Sequence, residues 1–214
     1  MTHTAINNTR LLIRDLLSFI RWNYIEKINP IRAQKIFVVG LSKTGTTSVN
    51  DALNILGIES IHYPQFYHLF DGALRFNWHW RFEKARAFSD IPVVAFLDQL
   101  LVKYPNSYII YTSRKKDTWL KSCEKHFALA SINATGEALR YKIYGSPVFV
   151  SDLYSLKYDR HSEFIKEKFK DHAQFLEIKL EDADKWGPLC KLLEIPVPNV
   201  DYPHSNKRQD GRAL

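Results

Sequence analysis

The pattern of apolar and polar residues predicts strands and helices that alternate along most of the chain. Residues 36–39 form an uninterrupted apolar run, which is typical of a strand that is buried on both faces. Apolar residues at helical spacing follow it, with Val49, Leu53 and Leu56 on one face. The further predicted strands are residues 58–62, 106–112 and 175–180, and the further predicted helices are residues 116–129, 159–171 and 185–193. This alternation indicates a three-layer α/β fold, a parallel sheet flanked by helices on both faces.

Two stretches interrupt the alternation. Residues 63–82 are rich in aromatic side chains and poor in aliphatic ones, which predicts a packed core segment; a pocket wall or a lid is the alternative. Residues 130–150 contain Gly136, Gly145 and Pro147 and are predicted to be irregular. No internal repeat is present, so a single α/β domain over residues 35–214 is expected.

An N-terminal segment, residues 1–34, is predicted to precede this domain as an amphipathic helix. In residues 10–27, apolar side chains recur at helical spacing between charged ones. The stretch is too short and too charged to span a bilayer. We expect it to pack on the domain or on a partner subunit. The alternative is a helix that lies in a membrane interface, because arginine and tryptophan side chains flank its apolar face.

Composition and charge limit the possible partners. The 214 residues are 45% hydrophobic and 25% charged, as in an ordinary globular protein, and their net charge is +7. A basic chain attracts anions, but the scattered basic residues argue against a nucleic-acid partner. Cys123 and Cys190 have no metal-site spacing and are predicted to be buried free thiols. No secretory signal is visible, so we expect a cytoplasmic protein, with peripheral membrane contact through residues 10–27 as the alternative.

The most informative segment is residues 36–48, in which the predicted strand runs into a glycine-containing loop and then into a helix. Backbone N–H groups and the positive end of the helix dipole converge at such a junction and form an anion site. An ATP-binding Walker loop has lysine directly after its second glycine. Here Thr46 follows Gly45, and the lysine is Lys43, inside the loop. The loop is therefore predicted to bind a phosphate group, though not that of ATP.

The loop Ser-Lys-Thr-Gly-Thr-Thr, residues 42–47, resembles the 5′-phosphosulfate loop of sulfotransferases, which use 3′-phosphoadenosine-5′-phosphosulfate as the sulfuryl donor. Those enzymes have a second motif, an arginine at a strand end followed eight positions later by a serine. Arg114 ends the predicted strand at 106–112, and Ser122 follows at that spacing. The resemblance covers residues 35–208 and implies a P-loop-type sheet.

The resemblance also implies how the donor is held. Lys43 is expected to reach the bridging oxygen, where negative charge builds during transfer. Arg114 and Ser122 are expected to hold the 3′-phosphate; a salt bridge to Asp117 is the alternative role for this arginine. Lys207 and Arg208 resemble a short basic loop that closes over the 3′-phosphate, although the family's following glycine is absent, and a basic tail that binds nothing is the alternative. The expected donor-binding residues are Lys43, Thr44, Gly45, Thr46, Thr47, Arg114, Ser122, Lys207 and Arg208.

The sequence offers two candidates for the general base. Many relatives have a histidine two residues before a proline, and the matching position here is Asp90 in Ser-Asp-Ile-Pro. A carboxylate can deprotonate an acceptor if burial raises its pKa. The alternative role is a helix cap, since Ser89 or Asp90 before Pro92 suits an N-cap. His62, at the end of the preceding predicted strand, is the second candidate for the base.

We therefore predict a sulfotransferase that moves a sulfuryl group from 3′-phosphoadenosine-5′-phosphosulfate to a hydroxyl or amine by in-line transfer. The motifs require no metal, because no aspartate is recognisable after a strand as a Walker-B ligand. A kinase that uses a nucleoside triphosphate is one alternative, and a catalytically degenerate nucleotide-binding module is another. Carbohydrate, lipid, small phenol and peptide acceptors all remain open, as does the oligomeric state.

Overall fold

A computed structural model of the chain describes residues 34–79, 81–128 and 133–204. The predicted helix at residues 10–27, Trp80 and the basic pair Lys207 and Arg208 lie outside the described residues. None of the helices in the described parts of the chain is long and apolar enough to cross a membrane.

Five parallel strands form the central sheet in the order β2-β5-β1-β6-β7. The sheet strands are β1 (Ile36–Val38), β2 (Ser60–His62), β5 (Ala87–Ser89), β6 (Tyr108–Ser113) and β7 (Phe175–Lys179). A separate antiparallel hairpin consists of β3 (Tyr67–Phe70) and β4 (Ala73–Phe76). The described helices are α1 (Thr46–Ile55), α2 (Arg81–Lys84), α3 (Ile91–Ala95), α4 (Leu97–Lys103), α5 (Lys116–Phe127), α6 (Ala134–Tyr144), α7 (Ser151–Phe169) and α8 (Trp186–Leu193).

The two faces of the sheet are both buried, which confirms the three-layer α/β prediction. Phe37 faces one core, together with residues of α3 to α7 and the aromatic hairpin. Ile36 and Val38 face the other core, which contains residues of α1 and α8. Successive side chains of a strand point to opposite faces, so an unbroken apolar run requires a cover on each side.

The aromatic stretch at residues 63–82 packs mainly into the first core. Phe66 is fully buried, and its ring lies 5.6–6.2 Å from five other aromatic rings. Trp78 packs against Phe88 and Tyr104, and its indole N–H donates to Glu83 Oε1 at 2.7 Å. The core interpretation is therefore confirmed for these residues.

Three elements differ from the expectations. Residues 130–150 were expected to be irregular, but they contain α6, which begins after the capping side chain of Asn133 and ends at Gly145 with φ of +80°. Helix α7 begins at Ser151, eight residues before the predicted start at 159. Strand β5 has only three residues, too few for a readable apolar run, yet it lies inside the sheet between β2 and β1.

Candidate active site

The loop between β1 and α1 depends on two glycines. A Cβ atom at Gly40 would overlap the hydroxyl of Thr112 on β6, because the loop crosses the end of that strand. Gly45 has φ of +105°, in the left-handed region that glycine adopts without steric cost. It precedes α1 without a side-chain capping bond from any described residue. The first N–H groups of α1 are therefore available to an anion.

Aromatic side chains of α5 and α6 form hydrogen bonds with the backbone of the loop. The N–H of Ser42 donates to Tyr144 Oη at 3.1 Å, and the carbonyl of Ser42 accepts from Trp119 Nε1 at 2.9 Å. Both aromatic residues are fully buried. Burial raises the pKa of Tyr144 well above its ordinary value, so its hydroxyl keeps its proton. These contacts fix the position of the loop backbone.

Arg114 and Ser122 lie on one side of the loop, as the motif predicts. They line a cavity of about 320 Å³, here called the Arg114 cavity, together with Lys43, Gly45 and Ser48. Arg114 follows β6 directly, and its side chain donates to Thr118 Oγ1 at 3.1 Å and to the carbonyl of Lys43 at 3.4 Å. The salt bridge to Asp117, the alternative role of Arg114, is not among the ion pairs of the described residues.

Asp90 and His62 lie on the opposite side of the loop. Asp90 Oδ1 accepts hydrogen bonds from Ser42 Oγ at 2.5 Å and from the N–H of Ile91 at 2.6 Å. Its Oδ2 accepts from Thr46 Oγ1 at 2.8 Å and lies 3.5 Å from His62 Nε2. The helix-cap role of Asp90 is therefore confirmed, and the same carboxylate also binds two loop hydroxyls.

The position of Asp90 corrects one expectation. No aspartate was expected after a strand in the Walker-B manner, but Asp90 directly follows β5, which is the neighbour of β1. The expectation was wrong because a strand of three residues leaves no clear periodic pattern. No cluster of three or more histidine, cysteine, aspartate or glutamate side chains suited to a metal ion occurs in the part of the chain that is described.

His62 is oriented by a second set of contacts. Its Nδ1 lies 2.9 Å from Ser89 Oγ, and its Nε2 lies 3.2 Å from Thr47 Oγ1. The side chain is 30% exposed, against 7% for that of Asp90. His62 is therefore the more accessible member of the pair.

A larger cavity of about 550 Å³ opens beside this pair and is here called the His62 cleft. Lys43 and Gly45 line both this cleft and the Arg114 cavity, so the two cavities meet at the loop. Sequence reasoning missed several lining residues because they follow no motif and come from distant elements. The missed residues include His126, Phe127, Arg140 and His204, whereas Tyr63, which also lines the cleft, belongs to the aromatic stretch for which a pocket wall was the alternative.

The threonine hydroxyls of the loop have partners within the protein. Thr44 Oγ1 donates to the carbonyl of Leu41 at 2.7 Å and shares a hydrogen bond of 2.7 Å with Thr112 Oγ1. The hydroxyl of Thr46 binds Asp90. The N–H of Thr44 also donates to the carbonyl of Leu41, at 3.2 Å, so Thr44 stabilises the loop through both groups, while Thr46 offers its backbone N–H at the start of α1 to an anion.

The family model described as a sulfotransferase domain matches residues 35–147 and 139–211, which include the loop, Asp90, Arg114 and Ser122. A protein of Aspergillus versicolor, the "Ava biosynthesis cluster protein M", is 22% identical over 211 aligned positions, and the alignment covers 79% of this chain and 80% of that protein. Because the family model covers most of the chain, the protein belongs to the sulfotransferase domain family.

Proposed function

We propose that the protein transfers a sulfuryl group from 3′-phosphoadenosine-5′-phosphosulfate to a hydroxyl or amine of a small-molecule, carbohydrate or lipid acceptor. The observation that supports this most directly is the meeting of two cavities at Lys43 and Gly45. A group-transfer enzyme needs its donor and acceptor on opposite sides of the transferred group, since the attack is in line.

The donor is assigned to the Arg114 cavity. The uncapped N–H groups at the start of α1 would hold the 5′-phosphosulfate, and the guanidinium of Arg114 with the hydroxyl of Ser122 would hold the 3′-phosphate. Lys207 and Arg208 remain predicted contacts to the same phosphate.

Transfer forms a bond between sulfur and the acceptor oxygen or nitrogen and breaks the bond between sulfur and the bridging oxygen of the donor. The departing nucleotide keeps the bonding electrons, so negative charge grows on that oxygen. Lys43 lines both cavities, and its ammonium group has no hydrogen-bond or ion-pair partner among the described residues. It is the cation placed to stabilise the leaving oxygen.

Removal of the proton from the acceptor hydroxyl or amine is assigned to the pair formed by His62 and Asp90. His62 Nε2 and Asp90 Oδ2 are 3.5 Å apart and belong to residues that line the cleft. A carboxylate beside the imidazole stabilises the imidazolium that forms when the ring takes the proton. His62 is favoured as the proton acceptor because Asp90 already accepts three hydrogen bonds.

The first test is calorimetric titration with the product nucleotide, 3′-phosphoadenosine-5′-phosphate. We expect micromolar or tighter binding that Arg114→Ala abolishes, while adenosine 5′-diphosphate binds weakly because it lacks the 3′-phosphate. Arg160→Ala changes an exposed arginine on α7 and is the matched control. Equal or tighter binding of ATP with magnesium would contradict the proposal.

A kinase that uses a nucleoside triphosphate is the second candidate. The position of Asp90, directly after β5, favours a kinase. In P-loop enzymes, an aspartate at the end of the neighbouring strand helps to hold magnesium. The sequence argues against a kinase, because Thr46 occupies the position of the Walker lysine. Turnover assays with and without magnesium separate the two, because phosphoryl transfer requires the metal. Nucleotide binding without turnover on any acceptor would instead indicate the degenerate module.

A further inference from the structure

Arg140 is a buried cation of the His62 cleft to which the proposed transfer assigns no role. The residue is only 8% exposed, and its guanidinium carbon lies 4.6 Å from the ring centroid of Phe127. Its Nη1 donates to the carbonyl of Pro147 at 3.2 Å. No carboxylate of the described residues forms an ion pair with it. Arginine has five N–H donors, so most of them lack a partner within the part of the chain that is described.

A buried charge without a counter-ion is unfavourable, and its surroundings here increase the positive potential. Lys43 lines the same cleft. The pKa of His126, also in the cleft, is lowered by burial first and then by Lys43 and Arg140. Asp90 supplies negative charge, but its two oxygens already accept hydrogen bonds from the loop and from Ile91. A bound anion would complete this arrangement.

The position of Arg140 indicates which anion. Lys43 and Gly45 line both cavities, whereas Arg140 lines the His62 cleft and not the Arg114 cavity. A cation that served only the nucleotide phosphates would be expected in the Arg114 cavity. Arg140 therefore belongs to the acceptor side of the site.

We propose that Arg140 binds an oxyanion of the acceptor, a carboxylate or a phosphate, so that the acceptor is a small anionic molecule with a separate hydroxyl or amine. This inference rests on the proposed sulfuryl transfer. The planar guanidinium is suited to two parallel hydrogen bonds with such a group. A cleft of about 550 Å³ is of the size that binds small molecules.

The test compares anionic hydroxy compounds with neutral partners of the same shape. Protein saturated with 3′-phosphoadenosine-5′-phosphate is titrated with 4-hydroxybenzoate, mandelate and 3-phenyllactate, and with the primary amide of each acid. 4-Hydroxyphenyl phosphate, with hydroquinone as its neutral partner, distinguishes a phosphate from a carboxylate. We expect at least one anion to bind about tenfold or more tightly than its neutral partner. Arg140→Gln removes that preference, and the control Arg160→Gln retains it.

Two outcomes would overturn the inference: equal affinities within every pair for the wild type, or an undiminished preference for the anion in Arg140→Gln. Failure of the proposed function gives a different result, namely no binding of 3′-phosphoadenosine-5′-phosphate to the wild type.

The Tm of Arg140→Gln provides a second readout. We expect it to be unchanged or raised, since an unpaired buried charge is removed. A fall of several degrees with the preference for the anion intact would assign Arg140 to folding alone.

Discussion

Lys43 and Asp90, which both line the His62 cleft, have backbone conformations that are rare for residues with side chains. Their φ angles are +72° and +83°. Such conformations cost about 1–3 kcal/mol each and persist where the surrounding contacts impose them. The bonds of Asp90 to Ser42, Thr46 and Ile91 supply such contacts. The site is therefore held in shape by hydrogen bonds between its own residues.

Replacement of Lys43 tests the assignment of the leaving-group cation. We expect Lys43→Met to lower kcat by about 10²–10³-fold, because one preorganised electrostatic contact is lost where charge develops in the transition state. The affinity for 3′-phosphoadenosine-5′-phosphate should fall much less. Steady-state kinetics and calorimetry measure the two quantities. The control Lys191→Met removes an exposed lysine of α8. A loss of affinity at unchanged kcat would show that Lys43 acts in binding alone.

His62→Gln and Asp90→Asn separate the two members of the proton-accepting pair. We expect His62→Gln to lower kcat by about 10²–10⁴-fold with little change in stability. Asp90→Asn should lower kcat and also the free energy of unfolding by about 1–3 kcal/mol, because the loop hydroxyls lose a charged acceptor. Kinetics and denaturant unfolding measure both effects. Full turnover in His62→Gln would identify Asp90 as the base, and full turnover in Asp90→Asn would exclude it.

At the scale of elements, the site forms where the carboxyl ends of neighbouring parallel strands meet. Val38 of β1 is in register with Ser89 of β5, and Ser89 is in register with His62 of β2. The segments that follow these strand ends therefore emerge at one edge of the sheet. Ligands of open α/β sheets bind outside that edge. Arg114 reaches it by the same rule, as the residue after β6.

The aromatic stretch at residues 63–82, which contains the β3–β4 hairpin, has a structural role that Trp78→Ala tests. A lid would predict a higher acceptor KM for this variant, but Trp78 contacts core rings and binds Glu83. We expect the free energy of unfolding to fall by about 3–5 kcal/mol, as for a large core aromatic residue truncated to alanine. Phe70→Ala, on β3 of that hairpin and 64% exposed, should change it by less than about 0.5 kcal/mol. A higher acceptor KM at unchanged stability would restore the lid hypothesis.

At the scale of the molecule, the loop is linked to global stability through the helix layer. His161 on α7 donates from Nε2 to the carbonyl of Val39, at 2.7 Å, just before the loop begins. Burial lowers the pKa of His161 to about 4, and the hydrogen bond to Val39 opposes that shift. The folded protein therefore keeps this imidazole neutral at a pH at which the unfolded chain protonates it.

This difference predicts the direction of a pH effect. The pKa of His161 is lower in the folded state than the value of 6.5 expected when unfolded, so its contribution is fully present above pH 6.5. As the pH falls from 6.5 towards 4, the unfolded state binds the proton first, and about 1–3 kcal/mol of stability is lost. Urea unfolding at several pH values measures the loss. His161→Gln, whose amide can still donate to Val39, should reduce the loss of unfolding free energy between pH 6.5 and 4. An equally steep loss in this variant would show that other groups cause it.

Much of the fold and the centre of the site could be predicted from local sequence. The loop at residues 42–47 and the pair Arg114 and Ser122 each span nine residues or fewer, and they define the family without knowledge of distant contacts. Strand β5 and helix α6 escaped prediction for opposite reasons. The former is too short to show a period, and the latter contains glycine within a segment that tertiary contacts keep helical.

By itself, the sequence determined the α/β class, the glycine-containing loop between strand and helix, and the family, because these depend on periodicity and on short motifs. Only the tertiary structure decided that Asp90 binds Thr46, 44 positions away, and that Tyr144 holds the loop at Ser42, across 102 positions. It also placed Arg140 beside Lys43 in one cleft. The physical reason is that sheet order and helix packing bring distant residues together, and no spacing along the chain records that order.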